Sequence, residues 1–175
     1  MIAMYNRFLI FLLFFYFSAI IPDIYAQNDN YSCFTTRKIK RYLLYSPERL
    51  EILQPPRVVK SLKIKSGMSI LDIGAGRGLF TFIFADALKG TGEVFATEID
   101  PGDIKYIMNK AEEGEYMNVF PALVRSAGLD PFYRHHSFDI IFLCEAYSYI
   151  LHHYPDYFRE LRPSLKKDRG RLYIV

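Results

Sequence analysis

Ser69-Ile70-Leu71-Asp72-Ile73-Gly74-Ala75-Gly76-Arg77-Gly78-Leu79-Phe80 is the stretch that decides how this chain folds. A strand-like run reaches Ile73, three glycines follow at alternate positions, and a helical stretch begins at Leu79. Glycine takes backbone angles closed to other residues and lets another group approach the main chain. The helix that follows presents N–H groups with no partner inside the helix. A nucleotide-like ligand is the natural occupant of such a turn, since a tight turn alone would need fewer glycines.

Working outward, apolar runs alternate with helical ones. Strands are expected at Ser69–Ile73, Glu93–Glu98, 118–124, 138–143 and 171–175, and helices at Leu79–Leu88, 103–113 and 154–165. Strands as uniformly apolar as DIIFL and RLYIV belong in a sheet covered on both faces. Strand–helix alternation with right-handed crossovers therefore predicts an α/β, Rossmann-like doubly wound, mainly parallel sheet. Upstream, Ser46-Pro47-Glu48-Arg49 reads as a helix start and Pro55-Pro56 as its end, with a second short helix over 57–62.

Spacing narrows the ligand. A dinucleotide turn wants G-x-G-x-x-G, but here the third glycine is Gly78 and position 79 is Leu. Asp72 lies just before the first glycine, where a carboxylate would repel a pyrophosphate and attract a ligand carrying an amino group and a sulfonium. Glu98 closes the second strand about 20 residues beyond the glycines, the separation at which such folds place a ribose-binding acid.

Together these residues resemble a class I S-adenosylmethionine-dependent methyltransferase. The resemblance extends over most of 47–175, including Gly128-Leu129-Asp130-Pro131, Ser137-Phe138-Asp139-Ile140-Ile141-Phe142 and Gly170-Arg171-Leu172. It implies S-adenosylmethionine as cofactor, with Asp72, Gly74, Ala75, Gly76 and Gly78 at the turn, Glu98 on the ribose (Asp100 being the alternative) and Asp130 near the adenine. A turn-forming Asp-Pro explains Asp130 equally well. Glu145 and Tyr147 are the candidates for a catalytic role, because they follow the fourth strand. Pro47-Glu48-Arg49 and Gln54-Pro55-Pro56 look like the lead-in of a subgroup whose members often carry export signals. That subgroup usually shows an aromatic and two histidines where this chain has Tyr147-Ser148-Tyr149. The family fold has seven strands and this chain stops in the fifth, so a truncated fold is expected. A nucleoside-binding module without catalysis, or an inactive fragment, is the alternative function, and an NAD-dependent oxidoreductase a more distant one.

The remaining features bound the picture. The chain has 175 residues, 51% of them hydrophobic, and a formal net charge of +3, which gives no reason to expect a nucleic-acid partner. Much of the apolar excess lies in 8–21, which holds no charged residue, follows Arg7 and leads to Ala26. This is signal-peptide architecture, shorter than the roughly 20 residues that span a bilayer. Cleavage after Ala26 is the first expectation and an uncleaved membrane anchor the second. The domain would then be exported or membrane-anchored, or anchored facing the cytoplasm, where the cofactor is made. Residues 27–66 read as a spacer and helical lead-in, and 67–175 as the methyltransferase core. Arg37, Lys38, Lys40 and Arg41 form a solvated face or touch anionic lipid. Two cysteines, Cys33 and Cys144, make no disulfide framework. The pairs His135-His136 and His152-His153 lack matching ligand spacing, so no metal is expected.

Overall fold

The computed structural model describes residues 45–125 and 128–175. The segment 8–21, the basic cluster at 37–41 and Cys33 therefore lie outside the described residues. The chain divides into two compact units, Met1–Gln54 and Pro55–Val175.

In the first unit α1 spans Pro47–Leu53. Ser46 is extended and its hydroxyl accepts the Arg49 N–H at 3.3 Å, while Pro47 occupies the first turn, where no N–H is required. Gln54 turns left-handed and donates to Leu50 O, closing the helix.

The second unit runs α2 (Pro55–Leu62), β1 (Ser69–Ile73), α3 (Leu79–Leu88), β2 (Glu93–Glu98), α4 (Pro101–Glu113), β3 (Val119–Leu123), β4 (Ile140–Leu143), α5 (Tyr147–His153), α6 (Tyr157–Leu161) and β5 (Arg171–Ile174). The sheet order is β3-β2-β1-β4-β5 and every pairing is parallel. The winding reverses at β1, so a crevice opens at the carboxyl end of that strand, where open α/β sheets bind ligands.

The apolar runs are buried as their composition requires: β4 is wholly buried, and Ile70, Leu71, Asp72 and Ile73 are buried in β1. Phe80 and Phe84 of α3 meet Phe142 of β4 at centroid distances of 4.6 and 5.0 Å. A second cluster packs Leu71, Ile141 and Leu143 with Tyr133, Tyr157 and Leu161. Burying each such large side chain contributes about 2 kcal/mol. Among the described residues, no helix is long and apolar enough to cross a membrane.

Some boundaries differ from expectation for local reasons. α4 starts at Pro101, ahead of the expected 103, because Asp100 caps it through the N–H groups of Gly102 and Asp103. The helix expected over 154–165 is broken instead. Pro155 has no N–H to give and pushes Tyr154 to φ −141°, so α5 ends before it, α6 begins after it, and a 3-10 turn takes Arg162–Ser164. Phe138, expected inside β4, makes only an isolated bridge to Leu165. Cys144 is half-buried.

Candidate cofactor site

The β1 ladder runs on past the strand's end. The N–H groups of Gly74 and Ala75 both donate to Thr97 O, at 2.9 and 3.1 Å, so the turn is tied to β2 from its first residue. Gly74, Gly76 and Gly78 all have φ between +55° and +79°, in the left-handed region that favours glycine. A Cβ on Gly74 would lie 3.0 Å from Ala146 Cβ, which places the segment after β4 directly against the turn.

Glu98 reaches across from the carboxyl end of β2. Its Oε2 accepts the Gly76 N–H at 3.0 Å, and its Oε1 accepts those of Ile99 and Asp100 at 2.7 and 3.2 Å. An acceptor-only carboxylate therefore stands at the lip of the glycine turn, which suits a ligand bearing hydroxyl donors. Asp100, the alternative ribose partner, spends Oδ1 on capping α4.

A profile of the family described as "Methyltransferase domain" matches residues 70–168, a span that contains this turn and this acid. The chain belongs to the methyltransferase domain family. A comparison with curated protein sequences gave no match. Among solved structures, a SAM-dependent methyltransferase from Aquifex aeolicus superposes with a TM-score of 0.64 at 26% identity, over 79% of this chain and 70% of that one. The YcgJ protein of Bacillus subtilis gives 0.53 at 26% identity, over 69% and 48%. Coclaurine N-methyltransferase bound to N-methylheliamine and SAH gives 0.58 at 23%, over 71% and 34%, a likeness of fold. The chain thus spans 70%, 34% and 48% of the length of the Aquifex, coclaurine and YcgJ proteins, respectively. Fold and family are those of class I S-adenosylmethionine-dependent methyltransferases.

Within this methyltransferase domain Asp72 is placed differently from the simple expectation of a carboxylate facing a cation. It is 3% exposed, and its Oδ2 accepts the Thr81 hydroxyl of α3 at 2.6 Å, beneath the turn. Burial pushes its carboxyl pKa up to about 7, against the hydrogen bond from Thr81 and with the Glu98 charge adding to the rise. Asp130 is committed to its own turn. Oδ1 accepts the Phe132 N–H, and Oδ2 accepts the Arg125 N–H and meets its Nε at 3.4 Å. Burial works to raise its pKa, but these donors hold it below the ordinary value. The contact with Phe132 is the turn-forming one, and those with Arg125 join the turn to the segment after β3.

Glu145 is exposed with φ +58°, and its N–H donates to Val175 O at 2.8 Å. Tyr147 is 38% exposed at the start of α5, its ring 5.1 Å from that of Phe158. Both flank Ala146, hence the first glycine. His136 sits away from them, bonded through Nδ1 to Phe132 O and stacked on that ring at 4.3 Å. Among the described residues, no three His, Cys, Asp or Glu side chains converge as a metal site.

Sequence reasoning missed the support under the turn. The Tyr133 hydroxyl donates to Thr97 Oγ1 at 3.1 Å, and Thr97 Oγ1 donates to Asp72 O at 3.3 Å. All three residues are buried. Thr97 therefore holds the glycine turn with its carbonyl and β1 with its hydroxyl. A threonine at a strand end and a tyrosine 36 residues later carry no spacing signal by which this could have been found.

Proposed function

We propose that this domain binds S-adenosylmethionine over the carboxyl ends of β1 and β2 and transfers its methyl group to an acceptor nucleophile held beside residues 145–153. The observation that carries the reading is the meeting of Glu98 with Gly76: a hydroxyl-accepting carboxylate at the lip of a turn whose left-handed glycines bring backbone close to a ligand. When bound, the cofactor supplies a methyl group on a sulfonium sulfur, a leaving group that needs no protonation. The chain's residues are thus left with binding, orientation and exclusion of water. Glu98 accepts the ribose hydroxyls. Gly74, Ala75, Gly76 and Gly78 give the ligand access to the main chain, and Asp72 acts from below by fixing α3 to β1. Ala146 and α5 form the wall on the acceptor side, where Glu145 and Tyr147 are placed to meet the incoming nucleophile.

Isothermal titration with S-adenosylhomocysteine tests this. Glu98→Ala removes the two charge-assisted hydrogen bonds expected with the ribose hydroxyls, along with those from the Gly76, Ile99 and Asp100 N–H groups, and is expected to weaken binding by about tenfold to a hundredfold. Unchanged affinity would refute the assignment, and binding of a nicotinamide dinucleotide in its place would revive the oxidoreductase. Turnover of labelled cofactor against a lysate separates an enzyme from a binder. On the same footing we place the 8–21 run as an export signal or membrane anchor. N-terminal sequencing of the purified protein should read Gln27 if it is cleaved, and an intact Met1 would rule cleavage out.

A further inference from the structure

Thr97 of β2 holds the glycine turn through two of its atoms. Its carbonyl accepts the Gly74 and Ala75 N–H groups at 2.9 and 3.1 Å, and its hydroxyl donates to Asp72 O at 3.3 Å. One residue, paired in register with Ile73, therefore grips the segment 72–75 both before and after the point where β1 ends. Both amides are spent on the sheet, so the position of Thr97 sets the shape in which the turn meets a ligand.

A hydroxyl rotates to suit its surroundings, and it can fix a backbone only if it is itself fixed. Tyr133 supplies that constraint. Its hydroxyl donates to Thr97 Oγ1 at 3.1 Å, which leaves the Thr97 hydrogen for Asp72 O. Tyr133 is in turn held at its other end, where Ser164 Oγ donates to its carbonyl at 2.8 Å, and its ring packs edge-on to Tyr157 at a centroid distance of 6.4 Å. The donors thus run one way, from Tyr133 through Thr97 to the carbonyl two residues before Gly74.

Thr97 is 0% and Tyr133 1% exposed. Water does not compete for these bonds, and a polar group left unpaired at that depth carries its full desolvation cost. Burial also raises the Tyr133 pKa above its ordinary value, so the hydroxyl remains a donor through the neutral range. At such depth neither side chain can touch a ligand in the crevice.

We propose, resting on the cofactor assignment above, that Thr97 and Tyr133 are positioning residues whose hydroxyls act in series to hold the glycine turn in its cofactor-binding shape. Calorimetric titration of the full chain with S-adenosylhomocysteine tests this, at a temperature where every variant is folded. Thr97→Val keeps the shape of the side chain without its hydroxyl and should weaken binding about fivefold to tenfold. Thr97→Ser keeps the hydroxyl and should restore affinity to within about twofold of wild type. Tyr133→Phe removes one oxygen and should weaken binding about threefold. Because Tyr133 acts through Thr97, the double variant Thr97→Val/Tyr133→Phe should bind no more weakly than Thr97→Val alone. A purely structural role would lower the melting temperature of these variants and leave the affinity of the folded protein as it was. Should Thr97→Val fail to fold, Tyr133→Phe and Thr97→Ser decide between the two. Wild-type affinity in Thr97→Val and Tyr133→Phe, or equal losses in Thr97→Val and Thr97→Ser, overturns the positioning role, and additive losses in the double variant overturn the action in series. Glu98→Ala, titrated alongside, separates the possible failures. If it loses affinity while the Thr97 and Tyr133 variants keep theirs, the positioning role alone falls, whereas a wild type that does not bind removes the cofactor assignment and the positioning role together.

Discussion

Gly78 and Gly90 have nearly the same backbone angle, φ +79° and +72°, yet an added methyl group would meet different surroundings. At Gly78 it would lie 2.8 Å from Phe82 and 3.3 Å from Ile107, whereas nothing stands within 4 Å at Gly90. Gly90→Ala should thus cost only the left-handed strain of about 1 kcal/mol, and Gly78→Ala that strain plus repacking, about 2–4 kcal/mol. Urea unfolding of both variants compares them directly, and equal losses would show that φ alone decides. Asp72 gives the residue scale a pH dependence. Its folded pKa, about 7, lies above its ordinary value of 3.8, so the folded state holds a proton that the unfolded chain has released. This raised acid lowers stability progressively as pH rises from about 4 to 7, by at most about 4 kcal/mol, and the loss levels off above 7. In Asp72→Asn that part of the pH profile should disappear. A profile of unchanged slope would show that Asp72 is not its source.

Among the elements, β1, β2 and α3 agree with the sequence from end to end, because the glycines and the capping pattern punctuate them within a few residues. α5 was not legible. Tyr147-Ser148-Tyr149-Ile150-Leu151-His152-His153 has no strong helical period or side-chain cap, and its end is set by Pro155. The cofactor turn was legible for the same local reason as β1. Its support from Thr97 and Tyr133, and the burial of Asp72 against Thr81, depend on contacts between distant segments. The joint at Asp139 is likewise long-range, tying the start of β4 to β1 through the Ser69 N–H and to the approach to β5 through Lys166 and Arg169. Burial would raise the Asp139 pKa, but Lys166, the Ser69 N–H and Arg169 hold it below the ordinary value. The stability it contributes is therefore present above about pH 4 and is lost as pH falls below that. Lys166 is only partly buried and Arg169 mostly exposed, so both can regain water when the carboxylate is removed. Asp139→Asn should accordingly cost about 2 kcal/mol at pH 7, less than the about 3–5 kcal/mol of a fully buried pair. Thermal unfolding at pH 7 and pH 3 should show the gap between variant and wild type closing in acid, and a gap independent of pH would exclude an electrostatic origin.

At the scale of the domain, the strand order β3-β2-β1-β4-β5 places β1 between two paired neighbours and, among the described residues, leaves β3 and β5 each with one. Amides of Ile70 to Ile73 can then exchange with solvent only when the sheet opens as a whole, while those of the outer strands exchange by local fraying. Hydrogen exchange should therefore be slowest in β1 and faster by about a hundredfold or more in β3 and β5, and uniform rates across the sheet would contradict this order. The same measurement reads the polarity of the molecule. Gly76 and Ile99, whose N–H groups both point to Glu98, lie at the carboxyl end. Gly67 and Thr91 lie at the amino end, just before β1 and β2. S-adenosylhomocysteine bound over Glu98 should slow exchange at Gly76 and Ile99 several-fold and leave Gly67 and Thr91 as they were. Protection confined to the amino end would move the nucleoside to the other side of the sheet and remove the basis for assigning Glu98 to the ribose.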